Sequence, residues 1–362
     1  MGKVSLKSLN SFGLDVFADE LISITTDQEL KSFLQSEKTE KPFLVIGKGT
    51  NILFTEDFAG TVLIMDSCGI DKVSEDGNQV VLRAKAGENF DHLVRYALKR
   101  GCYGLENLAK IPGKVGSCPI QNIGAYGKEV KDYIFKVHAL AVSDGSYRTF
   151  TNAKCEFSYR SSVFKTVLKG QYIITAVDFK LSRVPNLNIE YGELKERLSA
   201  KKRISPLDVY DAVAAIRKEK LPDPKQLGNA GSFFKNPIIS LEQWEELKQK
   251  HENLIWYHAP NRKIKLAAGQ LIERLGWKGR QTGNVGVHPQ QALVLVNYGG
   301  ATGLEILHLA QEIQKDVLDN FGVNLEMEVN VAQPCVIPQH LKSQKNLYFV
   351  RKTHDYRYLI GL

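Results

Sequence analysis

The sequence has little cysteine and no long apolar segment. Its 362 residues include five cysteines, Cys68, Cys102, Cys118, Cys155 and Cys335, and no Cys-x-x-Cys pair. A scattered, odd-numbered set suits a reducing compartment and argues against a disulfide framework or a zinc site. No stretch approaches the roughly 20 apolar residues that cross a bilayer, and no apolar run follows the N-terminal residues as in a secretory signal. These absences predict a cytoplasmic protein without a membrane span.

Several common signatures of active sites are also missing. The sequence contains neither a Gly-x-Ser-x-Gly nucleophile elbow nor a His-Glu-x-x-His pair, so hydrolase and zinc-peptidase functions lose their usual support. Its eight histidines show no metal-ligand spacing. The sequence therefore predicts no metal site.

Charge of one sign is only mildly in excess. The formal net charge is +8, and residues 333–362 account for half of it, with five basic residues against Asp355 alone. The remaining excess is too small to demand a nucleic acid and is compatible with a phosphorylated small molecule. The basic C-terminal stretch can contact anionic partners or pack on the body of the chain, and packing is the favoured interpretation.

Apolar periodicity predicts a mixture of helices and strands with a boundary near Pro222. Strands are predicted at residues 42–47, 52–54, 79–85, 133–142, 172–181, 292–297 and 323–331, and a turn at 143–145 leads from the fourth to the fifth. Helices are predicted at residues 88–100, 205–220, from 240, 266–275 and 304–320. Thr302 and Glu305 form a predicted capping box for the last helix. In the strand 323–331, apolar and polar residues alternate, which indicates one core face and one face open to a cleft.

Two glycine-rich segments can bind a nucleotide. Gly47-Lys48-Gly49-Thr50-Asn51 can direct backbone N–H groups at a phosphate, although it matches neither a Rossmann fingerprint nor a Walker A loop. Residues 104–127 combine glycines with amide side chains, which suits a flat polar ring and a pyrophosphate. By residue type alone, a tight turn and a structural loop remain open alternatives for these two segments.

Three side chains are candidates for chemistry. Arg160 has the fork that binds both oxygens of a carboxylate. Ser232 lies beside Gly231 and two phenylalanines, and a serine hydroxyl is so weak an acid that it protonates only a strongly basic centre such as an enolate. Glu328 lies on the polar face of its predicted strand. A surface arginine, a turn serine and a solvated glutamate are the alternatives.

Together the motifs resemble one family, UDP-N-acetylmuramate dehydrogenase, also called UDP-N-acetylenolpyruvoylglucosamine reductase (MurB). The matching segments are collinear: Asn10-Ser11-Phe12-Gly13 and residues 47–51, 86–89, 104–108, 111–113, 119–127, 159–160, 220–224, 228–237, 266–269, 288–297 and 325–329. Tyr191-Gly192, before the helix that starts at Ser205, resembles the first type of this family. Thr50 departs from the family's usual serine but keeps the hydroxyl.

The resemblance implies an α+β fold. A two-subdomain FAD-binding module of the vanillyl-alcohol-oxidase/PCMH type would occupy residues 1–221, divided into about 1–66 and 67–221. An α+β substrate-binding domain would occupy residues 222–332, and residues 333–362 would form a basic C-terminal extension.

The resemblance also implies an oxidoreductase of peptidoglycan precursor synthesis. NADPH would reduce bound FAD, which would then reduce UDP-N-acetylenolpyruvoylglucosamine to UDP-N-acetylmuramate. Ser232 would be the proton donor, and Arg160 and Glu328 would stabilise the enolate. The implied FAD contacts are Gly47, Lys48, Gly49, Thr50, Asn51, Pro112, Gly113, Gly116, Ser117, Gln121, Asn122, Gly124, Ala125 and Tyr126, and the implied substrate contacts are Tyr191, Lys220 and Asn236. A monomer that acts on a small molecule, without nucleic acid or membrane, is expected.

Two rival functions remain at this stage. A flavin oxidase or dehydrogenase with the same FAD-binding architecture would keep the two glycine-rich segments, but would not need the residues around Ser232 and Glu328. A non-catalytic nucleotide- or RNA-binding protein would use the basic C-terminal stretch and would bind no flavin.

Overall fold

A computed structural model describes residues 2–332 and the backbone of residues 358–360. Its strands are β1 Val4–Ser5, β2 Phe17–Ile24, β3 Phe43–Ile46, β4 Ile52–Phe54, β5 Phe58–Met65, β6 Ile70–Asp76, β7 Gln79–Lys85, β8 Gly124–Ala125, β9 Lys128–Glu129, β10 Ile134–Ala141, β11 Tyr147–Thr151, β12 Tyr172–Ser182, β13 Gly228–Ser232, β14 Ile238–Ile239, β15 Trp256–Ala259, β16 Lys263–Leu266, β17 Gln281–Thr282, β18 Val285–Val287, β19 Val294–Asn297, β20 Asn330–Ala332 and β21 Tyr358–Ile360. Its α-helices are α1 Asp27–Leu34, α2 Phe90–Lys99, α3 Gly192–Leu198, α4 Pro206–Lys220, α5 Leu241–Lys250, α6 Ala268–Arg274 and α7 Gly303–Phe321. Most of the predicted C-terminal extension lies outside the described residues.

The first sheet has the order β1-β2-β5-β3-β21, and β2 and β3 both run parallel to β5. All four residues of β3 are buried, as the continuous apolar run predicts for a strand covered on both faces. Helix α1 is capped at its N-terminus by Thr26, whose hydroxyl accepts a hydrogen bond from Glu29 N in a capping box. It packs Leu30, Phe33 and Leu34 into a core shared with this sheet.

The second sheet is antiparallel, with the order β11-β10-β12-β7-β6. Helix α2 lies on it, and its apolar face, Phe90, Leu93, Val94 and Ala97, enters the same core as β7. The predicted strand 79–85 and the predicted helix after it are confirmed. The predicted path from the turn at 143–145 to residue 172 is wrong, because β11 intervenes and pairs with β10. Four of the five residues of β11 are exposed, so it carried no apolar alternation.

The C-terminal part contains two small sheets, β13-β19-β18-β17 and β14-β16-β15, with helices α5, α6 and α7. Helix α7 is capped at its N-terminus by Thr302, and the predicted capping box with Glu305 is confirmed. It ends at Gly322, whose φ of 64° suits a glycine helix terminus. Ile306, Ala310, Ile313 and Val317 of this helix are buried in the largest core of the described chain.

The predicted strand 323–331 is only partly confirmed. Burial alternates as expected, since Val323 and Leu325 are buried while Asn324 and Glu326 are exposed. A ladder forms only at β20, however, and its parallel partner is β4 of the N-terminal part. The segment before β20 instead runs beside residues 233–235, where Phe234 and Met327 form an isolated bridge. This segment thereby brings Glu328 from the C-terminal part back to the N-terminal glycine turn.

Candidate active site

The glycine turn, residues 47–51, joins β3 to β4 and needs glycine at its centre. Gly49 has a φ of +61°, and a Cβ atom there would lie 1.8 Å from the backbone oxygen of Leu9. The Gly49 oxygen accepts a hydrogen bond of 2.9 Å from Ser11 N. Only glycine permits both this conformation and this close approach. Leu9 and Ser11 therefore pack against the turn and fix its position. The side chain of Lys48 in the turn is exposed.

A second glycine loop faces this turn. Gly113 has a φ of +122°, and a Cβ atom there would lie 3.4 Å from Ser117 Oγ and 3.8 Å from Thr50 Oγ1. Gly116 packs on Ala86, to which it donates a backbone hydrogen bond of 2.9 Å. The two loops thus bring hydroxyl groups from separate parts of the chain to one small space, with Pro112 exposed at its edge.

The cleft between these loops has the composition that FAD requires. Val45, Ile46, Ile173 and Ile174 supply apolar walls, while Gly47 and Ser117 line the same cleft. Apolar walls suit a flat ring system, and a glycine turn with adjacent hydroxyls suits phosphate oxygens. The types of residue that line this cleft therefore suit the ring and phosphate groups of a dinucleotide such as FAD.

The remaining predicted cofactor residues lie along the chain from residue 121 to residue 126. Gln121 accepts a hydrogen bond from Asn51, and the Gly124 oxygen accepts one from Arg160 Nη2 at 2.7 Å. Asn122 is fully buried; its amide nitrogen donates to Glu129 and to the Ser158 oxygen, and its Oδ1 accepts from Lys131 N. These bonds leave the backbone of Asn122 as its means of contacting a cofactor. Ala125 lies in β8, which pairs with β9, and Tyr126 follows it.

Arg160 and Glu328, two of the three candidates for chemistry, form an ion pair. Arg160 Nε lies 3.0 Å from Glu328 Oε1, and each side chain is less than a fifth exposed. Arg160 has a left-handed φ of 52° in the tight hairpin closed by Ser158 and Ser161. Such backbone strain in a non-glycine residue is common at functional sites. Its Nε atom is buried and makes no aligned hydrogen bond, so the contact with Glu328 is electrostatic.

Ser232 ends β13, at a bulge in the pairing with β19. The register shifts between Asn229 and Ser232, and Gly231 has a φ of +70°. Bulges next to active sites redirect a side chain. The following residue, Phe233, is buried, and its oxygen accepts a hydrogen bond of 2.8 Å from Glu328 N. The structure therefore places Ser232 on the chain that lies directly beside Glu328.

The three predicted substrate residues have different surroundings. The Tyr191 ring packs edge-on against Tyr126 with 5.8 Å between ring centroids. Lys220 Nζ lies 2.8 Å from Glu193 Oε1 in an exposed pair near the start of α3. Asn236 lines a cleft that also includes Tyr159, and its Oδ1 accepts a hydrogen bond from Ala268 N at 3.0 Å.

Sequence reasoning missed three cations that the fold brings to the site. Lys265 Nζ lies over the rings of Tyr159 and Tyr257, at 5.1 and 5.6 Å from their centroids, and burial lowers its pKa. Burial also lowers the pKa of Arg217, which is near both Tyr126 and Arg160. Lys165 has a buried Nζ without a hydrogen-bond partner. Its pKa is lowered by burial and by Lys235, while Glu328 opposes that shift. Lysine spacing gave no signal for Lys165 or Lys265.

Comparison with known proteins places the chain in a family. The UDP-N-acetylenolpyruvoylglucosamine reductase of Pseudomonas fluorescens (strain Pf0-1) is 49% identical over 331 residues, which cover 91% of this chain and 97% of that relative. The chain belongs to the UDP-N-acetylenolpyruvoylglucosamine reductase family. The reductase of Flavobacterium johnsoniae is 44% identical over 330 residues, which cover 90% of this chain and 98% of the relative.

Other comparisons agree with membership of this reductase family. Residues 223–332 match the profile of the UDP-N-acetylenolpyruvoylglucosamine reductase C-terminal domain, and residues 18–151 match that of an FAD binding domain. The crystal structure of UDP-N-acetylenolpyruvylglucosamine reductase (MurB) from Thermus caldophilus is similar, with a TM-score of 0.64 and 25% identity, covering 92% of this chain and 98% of that one. The predicted fold class and the predicted flavoprotein class are confirmed.

Two further properties concern only the described residues. No helix among them is both long and apolar enough to cross a membrane. Within the same part of the chain, no group of three or more His, Cys, Asp or Glu side chains could hold a metal ion.

Proposed function

We propose that this reductase-family chain uses NADPH and bound FAD to reduce UDP-N-acetylenolpyruvoylglucosamine to UDP-N-acetylmuramate. The observation that carries the proposal is the ion pair of Arg160 with Glu328, whose N–H donates a hydrogen bond to the oxygen of Phe233, the residue after Ser232. A flavin oxidase acting on another substrate has no need of this set. We further propose a cytoplasmic monomer without a nucleic-acid partner, an FAD-binding module at residues 1–221 and a substrate-binding domain at residues 222–332.

When bound, FAD supplies hydride transfer, chemistry that no side chain of the chain can provide. The cofactor residues named from the sequence would hold it, with Gly47, Thr50, Gly113 and Ser117 at the shared cleft. Lys220 would bind a phosphate of NADPH or of the sugar nucleotide, once released from its exposed pair with Glu193.

Arg160 and Glu328 would act on the enolpyruvyl carboxylate. Hydride addition to the methylene carbon leaves negative charge on the adjacent carbon and its carboxylate. A guanidinium already held by the Gly124 oxygen and by Glu328 would stabilise that charge without reorganising. Preorganised electrostatic stabilisation of this kind is usually the largest single catalytic contribution.

Ser232 would complete the reaction by donating its hydroxyl proton to the enolate carbon. Loss of that proton leaves a serine alkoxide, so the transfer is favourable only when the acceptor is strongly basic. Phe233 and Phe234, which follow Ser232 directly, have buried rings and would exclude water from that side. A dry environment favours delivery of the proton from a fixed side chain.

The decisive experiment separates the two half-reactions. The purified holoprotein is reduced anaerobically with NADPH, and UDP-N-acetylenolpyruvoylglucosamine is then added while flavin absorbance is followed. The proposal expects rapid bleaching and then rapid recovery of absorbance, with one UDP-N-acetylmuramate formed per flavin. Reduced flavin that ignores the UDP-sugar would overturn the substrate assignment, and a colourless protein that binds no added FAD would overturn the flavoenzyme function.

A further inference from the structure

Asn51, the last residue of the glycine turn, makes four hydrogen bonds to other parts of the chain. Its Nδ2 atom donates to Gln121 Oε1 at 2.7 Å and to the Glu328 oxygen at 3.3 Å. Its backbone oxygen accepts hydrogen bonds of 3.1 Å from both N and Nδ2 of Asn330. We call Asn51, Gln121 and Asn330 the Asn51 clasp. Both amide protons of Asn51 are therefore used by protein oxygens.

The clasp lies at the start of a short parallel ladder that sets the register of Glu328. Asn330 pairs with Ile52, and Ala332 pairs with Phe54. Thr55 closes the other end, since its N and Oγ1 both donate to the Ala332 oxygen, at 3.4 and 3.1 Å. A slip of one residue moves a strand by about 3.3 Å and turns every side chain to the opposite face. The correct register is thus necessary for Glu328 to face Arg160.

The peptide groups on both sides of Glu328 are held. Its N–H donates to the Phe233 oxygen at 2.8 Å, and its oxygen accepts from Asn51. One contact comes from the chain beside Ser232 and the other from the glycine turn. The carboxylate therefore projects toward Arg160 from a backbone anchored to both parts of the fold.

We propose that Asn51 is a positioning residue for Glu328, acting through the Asn51 clasp. This inference rests on the proposed function and deepens it. Gln121 orients the Asn51 amide from the second glycine loop, and Asn330 fixes the Asn51 backbone. The location of the Glu328 carboxylate consequently depends on both loops that line the cofactor cleft. If either loop were displaced, Glu328 would not be correctly placed.

The proposal is tested first with Asn330→Ala, which removes one clasp bond from a residue outside the predicted cofactor and substrate contacts. FAD affinity and the rate of reduction by NADPH should remain close to those of the unchanged protein. The rate of reoxidation by UDP-N-acetylenolpyruvoylglucosamine should fall by roughly ten- to a hundredfold, because a displacement of about 1 Å can cost a factor of about 100. Asn320→Ala is the control, since Asn320 is exposed on α7, and it should change neither rate.

The second test is a double-mutant cycle between Asn51→Ala and Asn330→Ala. The effects of substitutions within one hydrogen-bond network are not additive. The double variant should therefore be reoxidised at nearly the same rate as Asn51→Ala alone. Calorimetric binding of UDP-N-acetylmuramate to the oxidised holoproteins gives a second readout, and should weaken in both single variants.

The outcomes separate the two proposals. Equal slowing of both half-reactions in Asn330→Ala, or additive losses in the cycle, would overturn the clasp as a positioning device for Glu328. If the UDP-sugar fails to reoxidise the reduced flavin of the protein without substitutions, the proposed function itself is overturned.

Discussion

Arg160 Nε and Glu328 Oε1 lie 3.0 Å apart, although the two residues come from separate parts of the chain and share no sheet or helix. Each side chain is mostly buried, so the pair loses hydration that the fold must replace. The Gly124 oxygen supplies one replacement by accepting from Arg160 Nη2. A buried ion pair is weak support for stability but is a strong constraint on geometry. The proposed function gives this pair a role, because an anionic substrate carboxylate can bind the guanidinium of Arg160.

Because Arg160 and Glu328 form an ion pair, we expect substitutions of the two residues to have coupled effects on the rate of the second half-reaction. Arg160→Lys keeps the charge but loses the planar fork, and Glu328→Gln keeps the shape but loses the charge. Each should slow reoxidation by the UDP-sugar by about 10- to 1,000-fold, as expected when preorganised stabilisation of an oxyanion is lost. Because the side chains touch, the double variant should lose less than the product of the single losses. Stopped-flow measurement of both half-reactions checks this.

The control for that cycle is a second arginine–glutamate pair. Arg183 Nη2 lies 2.7 Å from Glu75 Oε1, away from the candidate site. Arg183→Lys and Glu75→Gln should leave both half-reactions unchanged. Independent, multiplicative losses at Arg160 and Glu328 would contradict a joint role.

Ser232→Ala should separate the two half-reactions most clearly. Reduction by NADPH should proceed normally, and reoxidation should slow by about 100- to 10,000-fold, the usual contribution of a positioned proton donor. Thr282→Val is a suitable control because Thr282 is an exposed hydroxyl residue in the same sheet. Equal slowing of both halves would show that Ser232 holds the fold or the flavin and is not the acid.

Lys165→Met should stabilise the folded protein. The Lys165 Nζ atom is buried without a hydrogen-bond partner, and burial together with Lys235 lowers its pKa. An apolar side chain of similar length should raise the free energy of unfolding by about 1–3 kcal/mol, since an unpaired buried charge is costly. Chemical denaturation checks this, with Lys250→Met, at an exposed position on α5, as a control.

The Lys165 effect should also depend on pH in a defined direction. A lysine whose pKa is lower in the folded state destabilises that state fully at low pH, and the penalty fades as pH rises toward the unfolded lysine pKa. The stability difference between Lys165→Met and the unchanged protein should therefore narrow above neutral pH. A constant difference would contradict the buried-charge explanation.

Asp178 predicts a loss of stability in acid. It is buried on β12, and although burial opposes its ionisation, hydrogen bonds from Arg83 and His138 lower its pKa to about 2. The unfolded carboxyl has a pKa of about 3.9, so the difference corresponds to roughly 2–3 kcal/mol. This stabilisation is present above about pH 4 and is lost as pH falls toward 2.

The measurement is unfolding free energy against pH for Asp178→Asn. The variant should be less stable than the unchanged protein at neutral pH, and the two should converge in acid. Asp76→Asn, at an exposed position, is the control and should leave the profile unchanged. Parallel profiles for Asp178→Asn and the unchanged protein would contradict the prediction.

Sequence patterns predicted the elements that have regular burial. Strand β7 and helices α2 and α7 were visible because their buried side chains recur with a fixed period. Strand β11 was missed because its exposed side chains carry no such period. The ladder of residues 323–331 was overpredicted because alternating burial does not reveal whether a partner strand is adjacent. Only β20 forms a ladder, with a strand from a remote part of the chain, whereas Met327 forms an isolated bridge with Phe234.

Residue types by themselves determined much of the chemistry. The weak acidity of a serine hydroxyl restricted Ser232 to a strongly basic acceptor, and the collinear motifs identified the family to which these residues belong. Tertiary structure alone decided which groups meet: the Arg160–Glu328 pair, the Asn51 clasp and the surroundings of the half-buried Lys165 and Lys265 all arise from segments far apart in sequence. Local periodicity reports which face of an element is buried, whereas contacts between separate elements depend on how those elements pack.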